Sequence, residues 1–383
     1  MDIATISGGH EDSQTTTRTS EGLSHQTRGT FQSSGYIHVQ RLISIVNSFL
    51  LLHAVAFGLP SNLYLGVGYN ILKANPDGGD WSSLGQDPGL LVTRNILDTA
   101  AGGQHYIKST NYPQCSSALS TWVFYDPKTY QEYLRHYVTI DELTVSNVSL
   151  YAFSESQLYQ DIKRKTFFQH DVFRDEISAC PSLHARYTVP VVPIHKNLVT
   201  PEFARDACRL PALYNLQAYK HFLDNWGTHV TTEVEMGQKS ATRYRLSVAN
   251  LAEILLNSHD SNVASMLVED FQGYGSVVHL NMSHIQHSDF SRLPLGTKIS
   301  HFTIGAVTEA ILSWTIIPIS QVFSNDYWQN LDEFYRNGIC DGDTMNLFQL
   351  KENFVKALND YPIASGGEKP PSGNILIHIL TSH

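Results

Sequence analysis

Residues 219–239, YKHFLDNWGTHVTTEVEMGQK, change their apolar period midway. Leu213, Leu216, Tyr219, Phe222 and Trp226 recur every three or four positions, which predicts a helix with one apolar stripe. From Val230 the repeat is two. Val230, Thr232, Val234 and Met236 alternate with Thr231, Glu233 and Glu235, the pattern of a strand. Only Gly227, Thr228 and His229 separate the two patterns. Gly227 is expected to stop the helix as a left-handed C-terminal cap. Thr228 and His229 are expected to brace the corner, which makes His229 a marker of fold and a poor candidate for catalysis. Gly237 interrupts the strand pattern and is a candidate hinge.

The flanking sequence supplies more strands and helices. LHARYTVPVV places Leu183, Ala185, Tyr187, Val189 and Val191 on one strand face. LRHYVTIDELTV also reads as strand, as do TRYRLSV, SVVHLNMSHIQH and the terminal ILIHIL. Thr200-Pro201 is a helix start, and residues 248–275 carry helical spacing at Val263, Met266, Leu267 and Phe271. No internal repeat is present. The predicted class is therefore α+β.

With 383 residues, 42% of them hydrophobic, the chain can bury a large core. A formal charge of −10, with no basic run beyond Lys163-Arg164-Lys165, argues against nucleic acid as a partner, because phosphate neutralisation needs clustered cations. The same balance gives no support for strong attraction to anionic headgroups. Cys115, Cys180, Cys208 and Cys340 form no CxxC pair, so a zinc knuckle or thioredoxin-type site is not expected. Their spacing suits two disulfides with three connectivities open, provided the chain is exported.

Export is suggested by Arg41 followed by the apolar run 42–58, which ends in small residues near Ala56 and Gly58. With Asn47 and His53 inside, the run is short of the roughly twenty residues of a membrane span. Residues 1–40 are polar and read as a disordered or mis-assigned leader. The sequons at Asn147 and Asn281 are candidate glycosylation sites on an exported chain. The expected location is extracellular or the endolysosomal lumen, with membrane association on assembly.

No GxSxG, HExxH, GxxxxGK or HxE…CxxC pattern occurs, so no residue set nominates a reaction, a cofactor or a metal. Asp77, Asp80 and Asp87 lack the spacing of a calcium loop and read as turn chemistry. His279, His284 and His287 come nearest to a cluster, but alternation splits them between two strand faces. They would gain charge in an acidic compartment and could there loosen the segment that carries them.

Tyr219, Trp226, Gly227, Thr228, His229 and Val230 together resemble the signature of the membrane-attack-complex/perforin (MACPF) superfamily: two spaced aromatics, then Gly-Thr-His and an apolar residue. NWGTHVTTEVEMG is similar to its macrophage-expressed perforin-like branch. YLGVGYNILKANPDGG, with DPG at Asp87–Gly89, resembles the domain start of invertebrate perforin-like proteins. The resemblance places the domain at 59–335, after a signal-like segment at 41–58 and before a short C-terminal tail at 336–383. It departs from the family where Gly237 is followed by Gln238 instead of a second glycine, and where the region near residue 305 is shortened.

The resemblance implies a bent antiparallel sheet, like that of cholesterol-dependent cytolysins, flanked by two helical clusters that refold into membrane-crossing β-hairpins. Segments 146–182 and 238–287 are the implied inserting regions. Val148, Leu150, Val278, Leu280 and Met282 are membrane-inserting candidates, and Lys163, Arg164 and Lys165 fall at a hairpin tip. Four strands cannot close a barrel, so copies of the chain must share one in a ring or arc. The implied partners are a lipid membrane and the chain itself, in an immune effector or toxin. The alternative is a non-lytic MACPF protein acting in adhesion, development or binding.

Overall fold

Strand pairing centres on one long strand, and each neighbour it recruits fixes part of the architecture. The computed structural model describes residues 64–77, 87–99, 107–112, 118–142, 145–169, 171–188, 199–247, 266–271, 275–281, 296–305, 310–323, 338, 340, 347–371 and 376–381. The expected leader, the signal-like segment, Cys115, Met282, His284 and His287 lie outside them. All the described residues belong to one compact unit, 56–383.

The long strand is β7, His229–Leu246. On one side it pairs antiparallel with β1 (Val67–Tyr69) and then with β6 (Val172–Tyr187). On the other it pairs with β11 (Ala310–Pro318) and then with β10 (Thr297–Ile304). β2 (Leu90–Asn95) borders β1, while β3 (Ile107–Asn111) and β4 (Ala118–Phe124) border β6. β5 (Val138–Ile140) adds to β11 in parallel, completing nine strands. A separate three-stranded sheet joins β8 (Met266–Phe271), β9 (Gly275–Asn281) and β12 (Leu376–Thr381). The fold is α+β, with a large antiparallel sheet at its centre.

Helices fill the links between these strands. α1 (Pro127–Arg135) starts at a capping box in which Asp126 accepts from Thr129 N–H at 2.6 Å. α2 is Asn147–Leu150, and α3, Gln157–Phe168, is capped by Ser156. α4 (Pro201–Cys208) begins at the expected Thr200 cap, and α5 (Leu216–Trp226) is the signature helix. A 3-10 turn, Ile319–Phe323, and α6, Leu347–Ala364, follow β11.

Several expectations need correction. LRHYVTIDELTV is not one strand: Pro127 and the Asp126 cap commit its first residues to α1, and among its described residues only Val138–Ile140 form a strand. Residues 266–271 are strand instead of helix, because pairing with β9 outweighs their local spacing. Leu213 is 87% exposed and outside the apolar stripe, since α5 starts only after the Asn215 cap. Leu350, Phe354, Ala357, Leu358 and Tyr361, in the stretch expected as a tail, belong to the main core.

Gly237 does not interrupt β7, but the covering of the sheet changes there. Buried positions are His229 to Thr232, Val234 and Met236 before it, and Lys239, Ala241 and Arg243 after it. Alternate residues of a strand face opposite ways, so β7 is buried on both faces at its start and, from Glu233 on, switches its buried face at Gly237. β6 carries a bulge at the same level, between Pro181 and Leu183. A Cβ at Gly237 would lie 2.1 Å from the Cys180 carbonyl oxygen, so only glycine fits at this crossing.

Candidate functional site

The signature residues form a buried joint at the start of β7. Tyr219 is fully buried, donates to the Pro211 carbonyl at 3.2 Å and accepts from Asn353 Nδ2 at 2.9 Å. Trp226 donates from Nε1 to Asp206 at 3.0 Å and packs edge-on against Phe203. Gly227 has φ 90° and ψ 172°, an extended positive-φ geometry instead of the expected left-handed cap. Its missing Cβ would meet the Tyr69 backbone nitrogen at 2.6 Å, so glycine is required by close approach as much as by φ.

Thr228 ties that approach together. Its N–H donates to the Tyr69 carbonyl at 3.0 Å, and its hydroxyl accepts from Ile71 N–H at 3.1 Å. The same hydroxyl lies 2.8 Å from His229 Nδ1. His229 is fully buried, and its Nε2 has no hydrogen-bond partner among the described residues. Burial holds its pKa down at about 3. The fully buried imidazole braces the joint through its contact with the Thr228 hydroxyl. Among the described residues no three His, Cys, Asp or Glu side chains stand close enough to hold a metal.

The other end of the sheet has a different chemistry. Arg243 makes a two-pronged ion pair with Asp175 of β6, at 2.8 and 2.7 Å, and reaches Asp77 at 2.9 Å. Tyr130 of α1 donates to Asp77 at 3.0 Å. Lys239 donates to the Asp77 carbonyl at 2.7 Å and lies 3.9 Å above the Tyr137 ring. Burial, partly opposed by Asp77 and Asp175, lowers the Lys239 pKa to about 8. The guanidinium of Arg243 also sits over Phe124 and Tyr130. Sequence reasoning passed over this cluster and read Asp77 as turn chemistry. The available signal was Lys239-x-Ala241-x-Arg243, two cations on one face of a strand whose other members are apolar or small.

Both long connections start beside this cluster. Register pairs Phe124 with Phe173, Val172 with Leu246, and Arg245 with Thr297. The connection from β4 to β6 (125–171) and that from β7 to β10 (247–296) therefore leave the same end of the sheet. The expected inserting segments thus begin and end differently: 172–182 and 238–246 already lie in β6 and β7, and the first connection starts before 146.

The inserting candidates occupy these connections. Val148 is buried in α2, and Leu150 is 36% exposed at its end. Val278 and Leu280 are in β9 with His279. Lys163 pairs with Glu368, while Arg164 and Lys165 both reach Asp161 at 2.6 Å. The Asn147 amide nitrogen donates to the Asn359 carbonyl at 2.7 Å, which occupies the atom a glycan would use. Asn281 ends β9. Cys208 and Cys340 form a disulfide, and Cys180 is also disulfide-bonded. No described helix is long and apolar enough to cross a membrane, which says nothing of strands.

A family model described as the MAC/Perforin domain matches residues 55–289, more than half of the chain. The chain belongs to the MAC/Perforin family. The joint from Tyr219 to His229 and both ends of the first connection fall inside that match.

No curated protein matches this MAC/Perforin chain by sequence. Among solved structures it is similar to a putative cell invasion protein with a MAC/Perforin domain from Bacteroides thetaiotaomicron, at 9% identity and TM-score 0.39, covering 80% of this chain and 62% of that one. GNIP1Aa from Chromobacterium piscinae matches at 14% identity and TM-score 0.38, covering 82% and 58%. Astrotactin-2, a vertebrate-specific perforin-like membrane protein involved in neuronal development, matches at 11% and 0.31, covering 78% and 44%. The chain thus spans less than two thirds of the length of each of these structures.

Proposed function

We propose that this chain is a pore-forming MAC/Perforin protein that assembles on a lipid membrane and inserts two amphipathic β-hairpins per copy. The observation that carries this reading is the shared exit of the two connections from one end of the sheet. A hairpin extending β4 and β6 would lie beside one extending β7 and β10, so all four strands could continue without a change of register. A membrane-crossing strand takes about 9–11 residues, and each connection is long enough for two. Open edges cannot stand unpaired in lipid, so copies must join in a ring or arc.

Continued in register from Phe124 opposite Phe173, the first hairpin would turn near residue 148, so Lys163, Arg164 and Lys165 would fall in its second strand instead of at the expected tip, where a charge facing lipid costs about 2–4 kcal/mol at mid-bilayer. The disulfides suit an oxidising compartment, in support of a secreted or endolysosomal chain. The second reading is a non-lytic adhesion, developmental or binding protein. It draws support from the buried Val148, Tyr159 and Ile162, which commit the first connection to a packed helical form.

Dye-loaded liposomes mixed with the full chain separate the two. Pore formation predicts dye release together with ring- or arc-shaped assemblies on the vesicles. Binding without release, or no binding, would leave the non-lytic reading.

A further inference from the structure

The C-terminal run 347–381 reaches both connections. α6 is anchored in the core by Phe354 and Tyr361, both fully buried. Tyr361 accepts from Asn70 at 2.8 Å and donates to Asp224 at 2.7 Å. From this anchor one arm holds the first connection. Asn359 accepts from the Asn147 backbone N–H at 3.2 Å through its side chain, and from the Asn147 amide at 2.7 Å through its carbonyl. Glu368 pairs with Lys163 of α3, and Gly367 is backed by the Ser154 hydroxyl, 3.0 Å from where a Cβ would sit.

A second arm holds the second connection. β12 pairs with β9 along its whole length, from Leu376 opposite Asn281 to Thr381 opposite Ser276. The anchor and the arms differ in kind. The anchor is apolar and central, whereas the arms are an exposed ion pair, two hydrogen bonds at a helix end and one ladder of backbone bonds. Such contacts exchange with water or with another strand at little cost.

We propose that residues 347–381 are a clasp that holds both connections in their folded positions, and that displacing its two arms is what frees them. This rests on the pore-forming reading for its consequence, though not for its geometry. One continuous segment holding both connections also links their release, since freeing β12 and freeing the Asn359–Glu368 arm each remove part of the same restraint. Within the first arm, the chain passes from α6 to Glu368 through an exposed turn that contains Gly366 at φ 81°.

Two variants of the full chain test the clasp. Asn359→Ala with Glu368→Gln loosens the first arm, and deletion of residues 372–383 removes the second. Neither touches the main core, whose last described member is Tyr361. Amide hydrogen exchange in solution is expected to quicken about tenfold in 147–168 for the first variant, the equivalent of one or two lost hydrogen bonds. Exchange in 275–281 is expected to quicken at least as much for the second. Dye release is expected to be about tenfold faster for both. Unchanged exchange in the loosened connection overturns the clasp, and so does quickened exchange with slower dye release than the parent chain. If neither parent nor variants release dye, the pore-forming reading fails and exchange alone decides the clasp. Should the double variant lose its core unfolding transition, Glu368→Gln alone takes its place.

Discussion

The two halves of β7 lie in one strand yet solve burial in opposite ways. Before Gly237 the buried residues are apolar or hydroxylated apart from the neutral His229, and the threonine hydroxyls are met by backbone close at hand. Thr231, for example, accepts from Val67 N–H at 3.1 Å and donates to the Tyr64 carbonyl at 2.6 Å. After Gly237 the strand buries two cations, Lys239 and Arg243, whose hydrogen-bond partners come from β6 and the 70–77 loop, with the Tyr130 ring of α1 beside the Arg243 guanidinium. Burying ions costs several kcal/mol each before pairing returns it. Lifting α1 away would let water reach them while leaving the Arg243–Asp175 pair intact inside the sheet. On the proposed pore-forming function, the joint end would persist and the connection end would be uncovered.

The largest expected effect strikes the charged half. Arg243→Met leaves Asp77 and Asp175 buried without their cation, and should lower stability by about 3–5 kcal/mol in urea unfolding. A loss below about 1 kcal/mol would mean that water already reaches the cluster.

The next concerns the neutral half. His229 has a folded pKa of about 3 against an ordinary value near 6.5, so the unfolded chain binds its proton first. Its contribution is fully present above pH 6.5 and is lost as the pH falls toward 3, where about 4 kcal/mol has gone. His229→Gln should flatten this acid slope.

Lys239 works in the opposite pH range. Its folded pKa of about 8 lies below the ordinary 10.5, so the unfolded chain holds the proton longer and stability rises between pH 8 and 10. The gain is about 2–3 kcal/mol, and Lys239→Met should abolish it. The smallest effect is at the edge of the charged half: Asp126→Ala removes the α1 cap for about 1 kcal/mol. That loss should appear as faster exchange in α1 with β7 unchanged.

The joint was legible in the sequence because period and signature coincide within a few residues, from Tyr219 to Val230. Its detail was less so. Gly227 was read as a left-handed cap because helix ends commonly use one, yet the close approach of Tyr69 sets an extended geometry that no local pattern encodes. The full length of β6 was hidden because Arg174, Asp175 and Glu176 make its first half look like a surface segment. Buried ion pairs defeat hydropathy, and this one joins residues 68 apart in sequence. β12 was legible as a strand, but its pairing with β9 was not, since register between distant strands is decided by tertiary contact.

The central claim is that the connection end opens while the joint end stays closed. Amide hydrogen exchange of the full chain, free and bound to lipid vesicles, tests it most directly. The account predicts that residues 229–236 keep their protection on the membrane, while α1 to α3 lose their helical protection and regain a different pattern as strands. Protection in 127–168 that is the same with and without vesicles, in a chain that releases dye, would contradict it.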